Sequence, residues 1–351
     1  MTFSVLSARD FKRSPAMSCV VEFENVVSEI FDAPIINAQA QGTPAPKSNT
    51  TSDIAFMVGI SLFDVVQILN RFDRWRDRFG LVIAYVFDAF NYTTATKPPI
   101  WRQLISPSFR TISRIDHLFV PIKDSIMPIS NTYGIPVSYL PMACDVLKFG
   151  SARADRHIDV MGYGRQHPEH SKFLSDYFNF ERSNGIYYHT DHIHAQHVHD
   201  FARHRALFWN LLQRSKIALA YDAHLVNPTK KEFSVSFVGQ RWFECLASGC
   251  LVAGRRPTCS EADELLNWED STVELPEDNQ AMLELILELL NDDARLENTR
   301  IRNFQNSARK HDWRHRIQSF SSLLELPMTD RLKNELDELK NRADNCERRG
   351  G

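Results

Sequence analysis

The sequence predicts an α/β protein of two domains, each a parallel sheet with helical crossovers. Strand-like and helix-like segments alternate along the whole chain, the pattern that parallel pairing through helical crossovers produces. A polar, irregular break at Phe149–Asp155 follows an apolar run and precedes a fresh strand, after which the alternation repeats. The length of 351 residues accommodates two ordinary domains.

In the first half, β-rich runs fall at Phe3–Leu6, Pro34–Ile36, Ile54–Ile60, Leu81–Val86, His117–Val120 and Val137–Leu140. One helix is well marked. From Val65, the residues Ile68, Leu69, Phe72, Trp75 and Phe79 recur at three- and four-residue steps, opposite Asp64, Arg71, Asp73, Arg74 and Asp77. Gly80 reads as its C-terminal cap. Ala38–Ser52, rich in Gly, Pro, Ser, Thr and Gln, reads as a surface loop.

The second half offers strands at Ile158–Met161, Ile186–Tyr188, Ile217–Ala220, Leu251–Ala253 and Val273–Leu275. Helices are expected at Ser171–Phe178, Phe201–Gln213, Trp242–Ala247, Glu261–Leu266 and Asn279–Leu290, then around Ala294–Ala308 and Trp313–Leu326. The tail from Asp330 to Arg349 has a narrow stripe of Leu332, Leu336 and Leu339 and a Glu338–Arg342 pair, and reads as an exposed helix fraying after Asn345. The expected domains are 1–152 and 153–326, with a charged helical tail at 327–351.

Hydrophobic residues at 43% and charged ones at 24% are the balance of a soluble globular protein. A formal net charge of -3 leaves no cationic excess for a phosphate backbone, which excludes nucleic acid as the main partner. The N-terminus lacks the basic-then-apolar run of a secretory signal. Asp53–Leu69, interrupted by Asp53 and Asp64, falls short of a membrane span. Six cysteines without paired spacing read as reduced thiols. The expectation is a cytoplasmic protein, with peripheral membrane contact left open by composition.

The most informative segment runs from Phe237 to Glu264. Gly239 ends an irregular loop, Arg241–Ser248 forms a short helix, Gly249 stops it, and Cys250–Ala253 enters a buried strand. Such a loop-to-helix junction offers backbone N–H groups and the positive end of a helix dipole to an anion. Arg241 and Glu244, three apart, share one face. The guanidinium can meet phosphate oxygens and the carboxylate can accept paired hydroxyls. A surface salt bridge on an ordinary crossover helix is the equally weighted plain reading.

Arg241-Trp242-Phe243-Glu244-Cys245-Leu246-Ala247-Ser248-Gly249 resembles the R-x-F-E-x-x-A-x-G segment of GT-B glycosyltransferases, nearest to bacterial glycosyltransferase-like proteins of the spore-maturation and exopolysaccharide type. Tyr139-Leu140-Pro141 with Asp145, Ile158-Asp159-Val160 through Gly164-Arg165, the Leu212–Ala220 step with Ser215-Lys216, and His311-Asp312-Trp313-Arg314-His315-Arg316 resemble further pieces of that family, in order. The likeness covers roughly residues 115–325. It implies a GT-B-like fold, two Rossmann-type doubly wound parallel sheets facing a cleft. It also implies transfer of a sugar from a nucleoside diphosphate donor to a hydroxyl of a glycan or lipid-linked acceptor, with no cofactor and no catalytic metal.

Carried over by residue, the resemblance assigns Glu244 to the donor's ribose and places Arg165 and Lys216 near the diphosphate, beside Arg241 and Gly239. Retaining members carry two glutamates with seven residues between; the earlier position here is Ser236, which leaves the stereochemical course open. In the first domain, chemistry is expected at the carboxyl ends of strands. Asp88, just after Leu81–Val86, is the candidate general base of an inverting transfer, with a turn or N-cap role as its plainer reading. Arg9, Lys12 and Arg13 follow the first strand and could face phosphate or an anionic acceptor, or stand as solvated loop charges.

His189, His192, His194, His197, His199 and His204 crowd one segment. The two H-x-H pairs would each point two imidazoles to one side of an extended strand, which suits zinc, although no H-E-x-x-H helix accompanies them. Two other readings follow: a sugar-nucleotide or glycan-binding protein that has lost turnover, motivated by Ser236, and a metal-dependent hydrolase organised by the histidines.

Overall fold

The computed structural model describes residues 2–10, 13–38, 43–44, 53–89, 107–181, 185–190, 197–226 and 235–347. The chain divides into two compact units. The first comprises Met1–Pro141, His197–His199 and Arg316–Leu332, and the second comprises Met142–Gln196, Asp200–His315 and Lys333–Gly351.

The first unit holds β1 (Phe3–Ser7), α1 (Met17–Phe31), β2 (Ile35–Asn37), β3 (Thr43–Pro44), β4 (Ile54–Gly59), α2 (Leu62–Arg71), β5 (Phe72–Asp73), β6 (Leu81–Val86), β7 (His117–Val120), α3 (Ile126–Tyr133) and β8 (Val137–Tyr139). Six strands pair in the order β2-β1-β4-β6-β7-β8, all parallel, with Leu6 opposite Met57 and Met57 opposite Ala84. Ile54–Val58 is at most 1% exposed, as expected of a strand covered on both faces. Phe23 of α1 meets Phe56 and Tyr85 edge-on at 5.5 and 5.4 Å. The core is completed by Phe320, stacked on Phe56 at 5.5 Å.

The second unit continues with α4 (Val146–Phe149), β9 (Ile158–Tyr163), α5 (Pro168–Asp176), β10 (Tyr187–Thr190), α6 (Phe201–Leu212), β11 (Ser215–Tyr221), α7 (Ala223–Val226), α8 (Gln240–Ala247), β12 (Leu251–Arg255), α9 (Ser260–Leu265), β13 (Val273–Glu274), α10 (Asn279–Asn291) and α11 (Asp293–Lys310). Two helices close the chain, α12 (Trp313–Leu323) and α13 (Asp330–Glu347). Its five strands are parallel in the order β10-β9-β11-β12-β13. In each sheet the chain lays its second strand on one side of the first and then crosses to the other side. Both sheets are therefore doubly wound, with a switch point between β1 and β4 in one and between β9 and β11 in the other. The α/β class and two parallel sheets match the expectation from sequence.

Several local expectations differ from the structure. The helix read as running to Phe79 stops at Arg71, where Phe72–Asp73 turns into a short strand parallel to Thr43–Pro44. Arg74 then adopts a left-handed φ of 48°, and a 3-10 turn follows at Trp75–Asp77. Trp75 and Phe79 are buried all the same, so the apolar spacing reported burial and not helical continuity. The tail helix α13 buries its stripe, with Leu332 at 0% and Leu339 at 1% exposure, so it is a packed helix. The expected loop at Ala38–Ser52 lies, apart from Ala38 and Thr43–Pro44, outside the described residues.

Two of the motif fragments meet in the second unit. Buried Arg314 donates to Asp145 at 2.7 Å, to Asp312 at 3.1 Å and to Glu335 at 2.5 Å. Burial alone would depress the Arg314 pKa, but Asp312, Asp145 and Glu335 together raise it above its ordinary value. The expected domain boundary fell about ten residues further on than this network, which places Asp145 in the second unit.

Candidate functional site

In a doubly wound sheet, ligands bind outside the carboxyl ends of the strands at the switch point. In the second unit that point lies beyond β9 and β11, where Tyr163-Gly164-Arg165 and Tyr221-Asp222 emerge. Helix α8 also begins on this side. Gly239 is its N-cap in an extended conformation, and no side chain among the described residues caps the helix. The positive end of this eight-residue helix can attract an anion.

Arg241, in the first turn of α8, reaches back over the β9 turn. Its Nη1 donates to the Arg165 carbonyl at 2.5 Å, and its guanidinium lies 4.9 Å from the Tyr163 ring centroid. Its Nε is buried without a partner among the described residues. Gly164 makes this approach feasible: its φ is 66°, and a Cβ there would collide with Arg241 Nη2. The sequence brought Arg241, Gly239 and Arg165 into one site, and the structure places them together. The Arg165 link to Arg241 runs through its backbone oxygen.

Glu244, one turn further, is 2% exposed. Its Oε1 accepts from Arg205 Nη1 at 2.7 Å and its Oε2 from the Tyr163 hydroxyl at 2.5 Å. Arg205, from α6, lies 5.0 Å from the Phe208 ring and 5.2 Å from the Trp209 ring. Burial, followed by the Glu244 charge, pushes the Tyr163 phenol well above its ordinary pKa, so it donates to the carboxylate at neutral pH.

Lys216 lies elsewhere. It stands at the amino end of β11, paired with Asp159 at 2.8 Å, while Asp159 also accepts from the Ile186 N–H. The register sets Ser215 opposite Ile158, so Lys216 is at the far end of the sheet from Gly164. Asp88 does follow β6 at the carboxyl end of the first sheet, half-buried, with its N–H bonded to the Ile60 carbonyl at 2.6 Å.

Asp222 escaped sequence reading. It is 1% exposed, immediately beyond β11, and accepts from the Ser236 hydroxyl at 2.5 Å and the His224 N–H at 3.1 Å. Burial raises its pKa, against the pull of those two bonds. Ser236 in turn accepts from the Thr258 N–H at 2.8 Å, so one hydroxyl pins three loops at this end of the sheet. Tyr163 and Arg205 were missed as well. An acidic residue directly after an apolar strand would have marked Asp222, as it marked Asp88; nothing local marks Arg205 as the partner of a residue 39 positions away.

His197 and His199 touch each other at 4.9 Å, and His189 Nε2 lies 3.4 Å from Ser175 Oγ. His192 and His194 fall outside the described residues. Among the described residues, no group of three or more His, Cys, Asp or Glu could hold a metal ion. No described helix is long and apolar enough to cross a membrane.

Residues 151–322 match the family described as glycosyl transferase-like. No curated protein sequence matches the chain. Among solved structures, HepE from Anabaena, in complex with UDP and glucose, is 9% identical with a TM-score of 0.54, over 93% of this chain and 99% of that one. WaaG, a glycosyltransferase of lipopolysaccharide biosynthesis, is 8% identical with a TM-score of 0.48, over 92% of this chain and 99% of that one. The pneumococcal O-GlcNAc transferase GtfA, in complex with UDP and GlcNAc, is 11% identical with a TM-score of 0.44, and the match spans 79% of this chain but 57% of that one. S. aureus TarM is 11% identical with a TM-score of 0.43, and the match spans 78% of this chain but 56% of that one. Two doubly wound parallel sheets and the HepE match define the class, the GT-B fold of glycosyltransferases.

Proposed function

We propose that the protein transfers a sugar from a nucleoside diphosphate donor to a hydroxyl of a glycan or lipid-linked acceptor, in the cytoplasm and without a catalytic metal. The observation that carries this reading is Arg241, held across Gly164 beside the uncapped start of α8, at the switch point of a glycosyl transferase-like domain. The diphosphate would lie against that helix end and Arg241, where negative charge grows as the anomeric C–O bond breaks. Glu244, oriented by Arg205 and Tyr163, supplies acceptor positions for ribose hydroxyls. The acceptor oxygen attacks the anomeric carbon, the nucleoside diphosphate departs, and the hydroxyl proton passes to a base; Asp88 fills that role if the transfer inverts. The structure of HepE holds UDP, which makes uridine the first base to try.

Calorimetric titration with UDP, GDP, dTDP and ADP tests the site. One of them should bind saturably to the wild type, and Arg241→Ala should weaken it by about tenfold or more, the scale of a lost charge-assisted hydrogen bond. No saturable heat with any of the four, or equal affinity in the variant, ends this reading. A binding protein without turnover is the second reading, favoured by Ser236, whose hydroxyl is engaged with Asp222 and Thr258 in place of an acidic side chain. Nucleoside diphosphate released from a sugar donor in the presence of acceptor extract decides against it.

A further inference from the structure

The first sheet has a switch point of its own, and a built polar cluster occupies it. β1 lies between β2 and β4, and the chain leaves in opposite directions on its two sides. Ser7, the last residue of β1, and Arg9, two residues beyond, stand at its carboxyl end. Arg9 Nε donates to Ser7 Oγ at 3.2 Å and Glu24 Oε2 at 3.1 Å; its Nη2 donates to Glu24 Oε2 at 2.7 Å and Asn25 Oδ1 at 3.1 Å. The Ser7 hydroxyl also donates to Glu24 at 2.7 Å and accepts the Arg9 N–H at 3.1 Å. One edge of the guanidinium is thus fixed from three directions. Its Nη1 has no partner among the described residues, and the side chain is 20% exposed.

Glu24 makes the cluster unusual. Its side chain is fully buried, and its Oε1 has no hydrogen-bond partner among the described residues. Burial raises its pKa despite Arg9. A half-satisfied buried carboxylate is a cost that packing does not require. It is intelligible if its work is to hold Arg9 rigid. The rim is polar: Arg13 accepts the Val198 N–H at its carbonyl at 2.8 Å and donates Nη1 to the His199 carbonyl at 2.9 Å, which sets exposed His197 and His199 along the same loop. Asp10 is the acid nearby, 3.9 Å from Arg13.

We propose that Arg9, anchored by Glu24, Ser7 and Asn25, is the seat for a phosphate group carried by the acceptor. A guanidinium with one edge held and the other open matches the oxygens of a phosphate, and the switch point is where such a ligand would lie. The transferase reading is needed only to call this ligand an acceptor; the anion seat stands on the first unit's residues.

The test uses the full chain saturated with UDP, so that the second unit's anion seat is filled. Inorganic phosphate and glycerol 3-phosphate are titrated calorimetrically, and phosphatidylcholine vesicles with and without phosphatidic acid are tested by flotation. Arg9→Ala strips a buried acid of its counter-charge, so Arg9→Ala/Glu24→Gln, in which both charges are gone, is measured beside it; Glu24→Gln alone keeps the arginine. Saturable binding that falls about tenfold in both Arg9 variants, and by less in Glu24→Gln, which keeps the guanidinium and an amide oxygen to hold it, is the expected result. Response to the soluble phosphates identifies a water-soluble acceptor, and response to phosphatidic acid alone identifies a lipid one. Equal binding by wild type and Arg9 variants, or no binding of any probe, overturns the proposal. UDP affinity is read in the same samples, so its absence would count against the donor reading separately.

Discussion

Glu24 in the first unit and Glu244 in the second are both buried carboxylates that accept from one hydroxyl and one arginine near the end of a sheet's first strand. Their surroundings part from there. Glu244 gives one oxygen to Arg205 and the other to Tyr163, and Arg205 is 8% exposed against Phe208 and Trp209. Glu24 gathers its donors on a single oxygen, and its arginine keeps an open edge towards solvent. The same chemical trio therefore keeps its arginine enclosed, a brace behind Glu244, in one sheet and leaves it open at one edge in the other.

The largest expected effect breaks the closed brace. Arg205→Ala removes the cation beside buried Glu244, and should cost about 3–5 kcal/mol in chemical denaturation. Replacing both members by apolar side chains, as in Arg205→Met/Glu244→Leu, should recover most of that loss. A cost for Arg205→Ala no larger than that for the more exposed Arg9→Ala would dissolve the distinction between the two clusters.

A smaller effect separates glycines. Gly134 and Gly164 share a φ of 66°, but a Cβ at Gly134 meets nothing within 4 Å whereas one at Gly164 meets Arg241. Gly134→Ala should show only the left-handed penalty of about 1–2 kcal/mol and leave nucleotide affinity alone. Gly164→Ala should add displacement of Arg241, read as weaker nucleotide binding at similar stability loss. Equal affinity in the two variants would detach Arg241 from the site.

The smallest effect is one of pH. His170, buried between the Tyr221 hydroxyl and the Glu277 carbonyl, has its pKa lowered by burial, as do His117 and His204. A depressed histidine pKa contributes stability above the unfolded value, near 6.5, and that contribution is lost as pH falls through it. Tm should therefore drop between pH 7.5 and 5.5 by a few degrees, and by less in His170→Gln; an unchanged Tm in the wild type would contradict these shifts.

The strands were legible because a sheet covered on both faces needs continuous apolar runs, and Ile54–Val58 or Leu251–Ala253 can be little else. Helix α1 was not, since its buried positions include Ser18, Glu22 and Glu24, polar residues that interrupt the apolar period. The Gly239–Arg241 junction could be read because its glycine, helix start and arginine are neighbours in the chain. Arg205, Asp222 and Glu24 could not, because each acquires meaning from a partner many residues away. Lys216 shows the converse hazard: a basic residue inside a familiar fragment, directed by its strand position to the wrong end of the sheet for the site.

Phe320 packs against Phe56 and Phe119 although almost two hundred residues of other structure intervene. During synthesis, the six-strand sheet emerges and must wait for nearly the entire polypeptide before its last aromatic plug arrives. Any stop codon before that helix would release a first half with a hole at its centre and an apolar wall open to water, a target for chaperones and proteases rather than a free-standing domain.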